Sequence, residues 1–200
     1  MATSDTPPPS PTDPAVVRFS DCVPQPGANG GGVTRVLALG HLPGSSATFD
    51  WRLSVADVTS GPFSILPGVD RVITLTDGPG LTLIIDENEI VLEPFRPLPF
   101  AGESLTRCET SEPTLDFNVM TRRAACSAEV AVCLGSGFVA APLGCVSYVV
   151  ALKGSTTVRL RAIPPLTLNQ FDTVCLPTAA GVRVRDGGRI AVVRIRPLVE

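Results

Sequence analysis

Two stretches of the chain alternate in a way that a plain core strand would not. They are WRLSVADV, residues 51–58, and LDFNVMTRR, residues 115–123. Successive side chains of a strand point to opposite faces. Trp51, Leu53 and Val55 then share one face, and Arg52, Ser54 and Ala56 share the other. In the second stretch Phe117, Val119 and Thr121 oppose Asp116, Asn118, Met120 and Arg122. Between the two lie Gly61-Pro62-Phe63-Ser64, which reads as a turn, and Pro67-Gly68-Val69-Asp70-Arg71. A chain with so many Arg, Asp, Asn and Ser on alternate positions either exposes those faces or lines a polar cavity with them.

The rest of the chain follows the same grammar. Short runs rich in Val, Ile, Leu and Thr alternate with Gly and Pro: RVITLTDG, LTLIIDE, EIVLEPF, EVAVCLG, YVVALKG, TTVRLRA, VRVRDGG and RIAVVRI. Helical periodicity is nearly absent, and even SVADV fits a strand better than a helix. The pattern predicts an all-β sandwich or barrel. There is also an internal echo. ILPGVDRVITLTDGPGLTLII followed by PFAGES is answered by PLGCVSYVVALKGSTTVRLRA followed by LNQFDTVCLP. On this reading Asp77-Gly78 matches Lys153-Gly154, and Glu103 matches Asp172.

Composition narrows the partners. With 44% hydrophobic residues, a chain of 200 can bury a sizeable core as one unit or two small fused ones. The 16 cationic and 19 acidic side chains nearly balance, at a net charge of −3, and no basic tract exists, so no nucleic-acid partner is expected. No apolar run reaches the length of a membrane helix, so no membrane partner is expected either. The opening MATSDTPPPSPTDP has neither a positive nor an apolar leader region and reads as a disordered arm. Six cysteines, at 22, 108, 126, 133, 145 and 175, include no CxxC pair, and several sit inside apolar strands. They read as buried, reduced thiols, which places the protein in the cytoplasm.

The ordered motifs WRLSVA, GPFS, PGVDR, PFAGE and DFNVM-x-RR together resemble the HutD/Ves family of small bicupin proteins, over roughly the first two thirds of the chain. The chain departs from the family pattern at Gly27, which stands where a Trp precedes the Asn-Gly-Gly loop, and at Glu103, where Asp is more usual. The resemblance, with the internal echo, implies an all-β cupin-type β-barrel or sandwich with two cupin halves. The expected organisation is a disordered Pro-rich arm over 1–17, a first half over 18–124 and a second half over 125–200. The resemblance also implies a link to histidine utilisation, where the family is thought to limit pathway output by sensing an intermediate.

Most cupin enzymes hold a metal through two or three His and a Glu. This chain has one histidine, His41, in the loop LGHLPGSS, so neither a metal site nor another cofactor is expected. One histidine also leaves no convincing Ser/His/Asp set. What remains is an Arg-centred polar cavity. Arg52, Arg71 and Arg122 can form bidentate hydrogen bonds with a carboxylate. Asp116 and Asp70 can orient the guanidiniums, and Ser54, Ser64 and Asn118 offer groups for an amide or formyl oxygen. Phe63 and Met120 supply an apolar wall. Arg and Asp at a barrel mouth also pair with one another and merely tie strands, which is the reading preferred for Arg123. Trp51, Phe100 and Phe117 are read as core.

The expected function is binding of a small carboxylate by a regulator that senses a formylglutamate-like intermediate. The alternative is a metal-independent isomerase or hydrolase with Asp116 as general base. An Asp flanked by Arg is expected to stay ionised and to be a weak base, which favours binding. A scaffold with a vestigial pocket is the third reading. Edge strands of bicupins can pair between subunits, which admits a homodimer.

Overall fold

Short β-branched runs between Gly and Pro punctuation form antiparallel ladders throughout this chain. The computed structural model describes residues 15–27, 32–134, 136–160, 164–177, 181–185 and 188–198. The strands up to Arg122 are β1 (Ala15–Val17), β2 (Gln25–Pro26), β3 (Val33–Gly40), β4 (Trp51–Val58), β5 (Gly61–Pro62), β6 (Val69–Asp77), β7 (Thr82–Ile85), β8 (Asn88–Val91), β9 (Leu98–Ala101), β10 (Thr106–Glu109) and β11 (Thr114–Arg122). They are followed by β12 (Cys126–Leu134), β13 (Gly137–Ala140), β14 (Val146–Lys153), β15 (Thr156–Arg159), β16 (Leu166–Leu168), β17 (Thr173–Leu176), β18 (Gly181–Arg185) and β19 (Arg189–Pro197). The helical content of the described residues is one 3₁₀ turn, Phe19–Asp21. Among them no helix is long and apolar enough to cross a membrane.

Four sheets result. A large sheet β2-β3-β4-β11-β6-β9 faces a small sheet β5-β10-β7-β8, and a large sheet β1-β17-β14-β19-β12 faces a small sheet β13-β18-β15-β16. Each large-and-small pair encloses its own core. Val58, Ile73, Leu75, Leu83 and Cys108 fill the first, and Val149, Ala151, Val158, Val174, Val184, Ile190 and Val192 fill the second. The two large sheets then pack back to back. Trp51, Leu53, Val55, Phe117 and Val119 of the first meet Tyr148, Val150, Leu152, Val193 and Ile195 of the second. This is the all-β arrangement that the strand pattern predicts, in the two halves that the internal echo and the family resemblance imply. Face parity in β4 and β11 also holds, since their odd-numbered residues enter the interface between barrels and leave the even-numbered ones for the first barrel's interior. At this interface Trp51 donates from Nε1 to Tyr148 Oη at 3.0 Å. Gly40 faces the indole so closely that a Cβ there would lie 2.0 Å from Trp51 Cζ2.

The internal repeat is visible in the backbone. Phe95 and Phe171 both adopt left-handed conformations, with φ of 64° and 65°. Their amides bond Leu75 O at 2.9 Å and Ala151 O at 2.5 Å, which are matching positions of β6 and β14. Asp77 and Lys153, equated from sequence, close the same two strands and pair with each other at 3.4 Å.

Three expectations are corrected. Ala15–Val17, assigned to the arm, form β1 and pair with Thr173–Cys175, because Ala-Val-Val carries a ladder that the preceding Pro-rich residues could not; residues 1–14 lie outside the described ones. Gly61-Pro62 is not simply a turn but a short strand on Arg107-Cys108. Glu103 does not match Asp172, since Glu103 follows β9 whereas Asp172 precedes the corresponding β17.

Candidate functional site

The first barrel's interior is polar at one end. Register places Arg52 of β4, Met120 of β11, Arg71 of β6 and Phe100 of β9 in one row across four strands. The next row inward holds Ser54, Asn118 and Ile73, and the row after that Ala56, Asp116 and Leu75. The barrel thus grades from charged to apolar within three rows. At its polar end is a cavity of about 140 Å³, lined by Arg52, Ser54, Phe63, Ser64, Arg71, Asp116, Asn118 and Met120. Drug-sized sites occupy roughly 300–1,000 Å³, so only a small molecule suits it.

Arg71 is the centre of the site. It is 6% exposed, and its guanidinium packs against both the Phe63 and Phe100 rings, 4.8 and 4.9 Å from their centroids. Its Nη2 donates to Asn118 Oδ1 at 3.2 Å, while its Nε is buried without a partner. Arg52 also has a buried, unpartnered Nε, and its guanidinium lies 5.8 Å from the Phe49 ring. Neither cation forms an ion pair. Burial draws both pKa values down, that of Arg71 to about 10. Aromatic faces attract a cation but leave its edge donors open. An unmade hydrogen bond at a buried donor costs on the order of 1–3 kcal/mol, more when the group is charged. Two guanidiniums on the wall of one cavity, neither paired with a carboxylate, are chemically suited to an anion.

Asp116 is 1% exposed and accepts from Asn118 Nδ2 at 2.6 Å and from the Ala56 amide. The expectation that neighbouring arginines keep it ionised is overturned. Burial pushes its carboxyl up to about 7, against the opposing pull of Arg71, Asn118 and the Ala56 amide. Burial wins because no guanidinium contacts it directly.

Eight of the residues expected at the site line this cavity, and Arg122 does not. It has the right parity, but β11 ends there. Its Nε reaches Phe49 O at 3.4 Å, and the Phe49 ring lies between it and Arg52. Asp70 does not orient Arg71 but pairs with Arg123 at 2.7 Å, and Arg123 also holds Glu103 at 2.7 Å. Arg123 is therefore the exposed strut that its sequence context suggested. Sequence reasoning missed Gly27, Thr34, Phe49, Asp57 and Thr59 on the cavity wall, and it took Phe100 for core alone. Two of these had a signal: Phe100, since PFAGE belongs to the ordered motifs, and Gly27, which stands where the family pattern has a Trp. All six cysteines are free; Cys108, Cys126 and Cys145 are buried, but Cys133 is exposed on the edge strand β12.

A larger groove of about 410 Å³ runs past Pro62, Ile65, Ile84 and Leu105, with Glu87 and Arg107 as its charges. Arg107 is already paired with Glu109, so the groove offers no open cation. Among the described residues, the matching rows of the second barrel do not repeat this polar set. By register Arg52, Ser54, Asp116 and Asn118 correspond to Glu129, Ala131, Ile190 and Val192. Arg71 corresponds to Ser147, and Arg194 at the mouth is tied to Glu129 at 3.1 Å.

Known proteins agree with this architecture. Protein Ves of Citrobacter koseri is 39% identical over 109 residues, which cover 52% of this chain and 56% of that protein, so the chain spans about half the length of the curated relatives it matches. The structure of HutD from Pseudomonas fluorescens SBW25 superposes with a TM-score of 0.80 at 26% identity, covering 94% of this chain and 100% of that one. A cupin 2 conserved barrel domain protein from Leptotrichia buccalis shares the fold, with a TM-score of 0.56 at 11% identity over 92% of this chain and 96% of that one. The HutD family model matches residues 20–192, which takes in both barrels and every residue of the cavity, and the chain belongs to the HutD family.

Proposed function

We propose that this chain is a small-ligand-binding cupin whose cavity holds a small carboxylate, and that it regulates histidine utilisation by sensing an acidic, formylglutamate-like intermediate. The observation that carries this reading is the pair of guanidiniums on the cavity wall, buried Arg71 and half-buried Arg52, with no carboxylate of their own. A carboxylate would meet those donors, and Ser54, Ser64 and Asn118 stand ready for an amide or formyl oxygen beside it. Phe63 and Met120 would cover the ligand's methylene chain. The volume limits the occupant to a small acid. Binding that stabilises the folded state raises Tm in a concentration-dependent way. Thermal shift of the purified protein with N-formyl-L-glutamate, N-formimino-L-glutamate, urocanate and histidine is the test. The first two should raise Tm; a flat response to all four at millimolar concentration would rule the reading out.

A second reading has a specific observation in its favour. A carboxyl that titrates near 7 is poised for general base work at neutral pH, and Asp116 has that character. A metal-independent isomerase or hydrolase would then act on the same carboxylate. Incubating the protein with the ligand that shifts Tm, and following it by proton NMR, separates the two. An unchanged spectrum supports a sensor, and turnover at a rate that Asp116→Asn abolishes supports an enzyme.

A further inference from the structure

We propose that the cavity selects dianions over monoanions, and that Asp116 makes the selection by taking up a proton when the second negative charge enters. The inference rests on the reading of the cavity as a carboxylate site. Arg52 and Arg71 stand in one row with Met120 between them, about 10 Å apart at the strand spacing of a sheet. Both arginines line the cavity and neither has a carboxylate partner, so a molecule with two carboxylates can meet one guanidinium with each.

Asp116 lies two rows deeper on the same face of β11. The charged and titratable groups around it are Arg71 from β6, Arg52 and Asp57 from β4, and Cys108 from β10. Arg71 favours the anion. Asp57 opposes it, but is half-exposed at the end of its strand and is the weakest influence on Asp116. The decisive charges are therefore the buried cation of Arg71, the half-buried one of Arg52 and the buried carboxyl of Asp116. With Asp116 ionised, these three leave one positive charge, which suits a monoanion. With Asp116 protonated they leave two, which suits a dianion. An unmatched charge inside a barrel is costly, so a dianion entering the cavity draws a proton from solvent onto Asp116. The neutral carboxyl then has an O–H to donate to a ligand oxygen, which an ionised one lacks.

The folded carboxyl titrates near 7, so about half of the free protein already holds this proton at pH 7. Isothermal titration of the full chain with glutarate, N-formyl-L-glutamate and butyrate, in two buffers of different ionisation heat, measures proton uptake. For a dianion that binds, the expected uptake is about half a proton at pH 7, approaching one by pH 8.5, with Kd rising about tenfold per pH unit above 7. Butyrate should bind more weakly and take up far less. Asp116→Asn should remove the uptake and flatten the pH profile, so that it binds the dianion more tightly than the wild type at pH 8.5. If that variant does not fold, the buffer comparison on the wild type still decides. A dianion that binds with the same heat in both buffers and a flat Kd overturns the inference and leaves the carboxylate reading standing. Failure of all three acids to bind overturns both.

Discussion

Replacing Asp116 by Asn should stabilise the ligand-free protein most at pH 8 and by less than half as much at pH 5. The amide keeps the shape of the carboxyl and an acceptor for Asn118 Nδ2, so it mimics the protonated acid. In the wild type the folded carboxyl titrates near 7 and the unfolded one near 3.8. Between those values the folded state holds more protons than the unfolded state, so this group's contribution to stability falls as pH rises and is lowest above 7. About three pH units at about 1.4 kcal/mol each set a ceiling of roughly 4 kcal/mol. Relaxation and water entry reduce it, which leaves about 2–4 kcal/mol in favour of the variant at pH 8. For a chain of this size that is roughly 4–16 °C in Tm. Urea denaturation of both proteins at pH 5, 6, 7 and 8, followed by circular dichroism, gives the difference directly. Taking that difference cancels other titrating groups, such as Asp172, whose carboxyl the Phe19 amide and Arg18 hold low against burial, and Glu103, whose carboxyl Arg123 holds low. A gap that stays constant across the four pH values, or a variant less stable at pH 8, would refute the reasoning.

Three further outcomes are expected. Arg52→Lys should weaken carboxylate binding about ten- to a hundredfold, the loss of roughly 1.5–3 kcal/mol from a charge-assisted fork, with little change in Tm because Arg52 has no hydrogen-bonding or ionic partner in the fold; intact affinity with a lowered Tm would make it a strut. Gly40→Ala should cost more than about 3 kcal/mol, because the new methyl overlaps the Trp51 ring in the interface between barrels, and a near-normal urea midpoint would contradict that packing. Of the six thiols, that of Cys133 should react first with a chromogenic disulfide in the native protein and the buried ones only on unfolding, so a fast phase that survives Cys133→Ser would place the exposed thiol elsewhere.

Much of the site was legible because strand parity is a local property. Arg52, Ser54, Asp116, Asn118 and Met120 declare their shared face from spacing alone, and the register of β4 against β11 only had to join two faces of the same kind. Parity is blind to where a strand stops, which is why Arg122 looked equivalent to Met120. It is also blind to what crosses the mouth: Phe49 and Thr34 come from a loop and a neighbouring strand whose approach is set by tertiary packing. The state of Asp116 was misjudged for a different reason. Proximity to arginine can be guessed from sequence, but depth of burial cannot, and here depth is the larger effect. The fold class was legible from period and punctuation. The crossing of β1 into the second barrel was not, because nothing in Ala-Val-Val specifies which edge it will extend.

The duplicated fold has divided its labour. The second barrel is filled with aliphatic side chains, while the first holds two cations and a carboxyl that would be better solvated in water. Half of the molecule is thus a ballast that can lend rigidity to the shared wall of β4 and β11 without taking part in recognition. Such an asymmetry predisposes a protein to open in order, the polar half before the filled one, so the barrel that holds these charges is where the folded state is least secure. A ligand that neutralises the arginines would then bind and, in the same act, close the weaker half. Amide exchange should register this as slowed opening of β6 and β11 on ligand addition, with β14 and β19 unmoved.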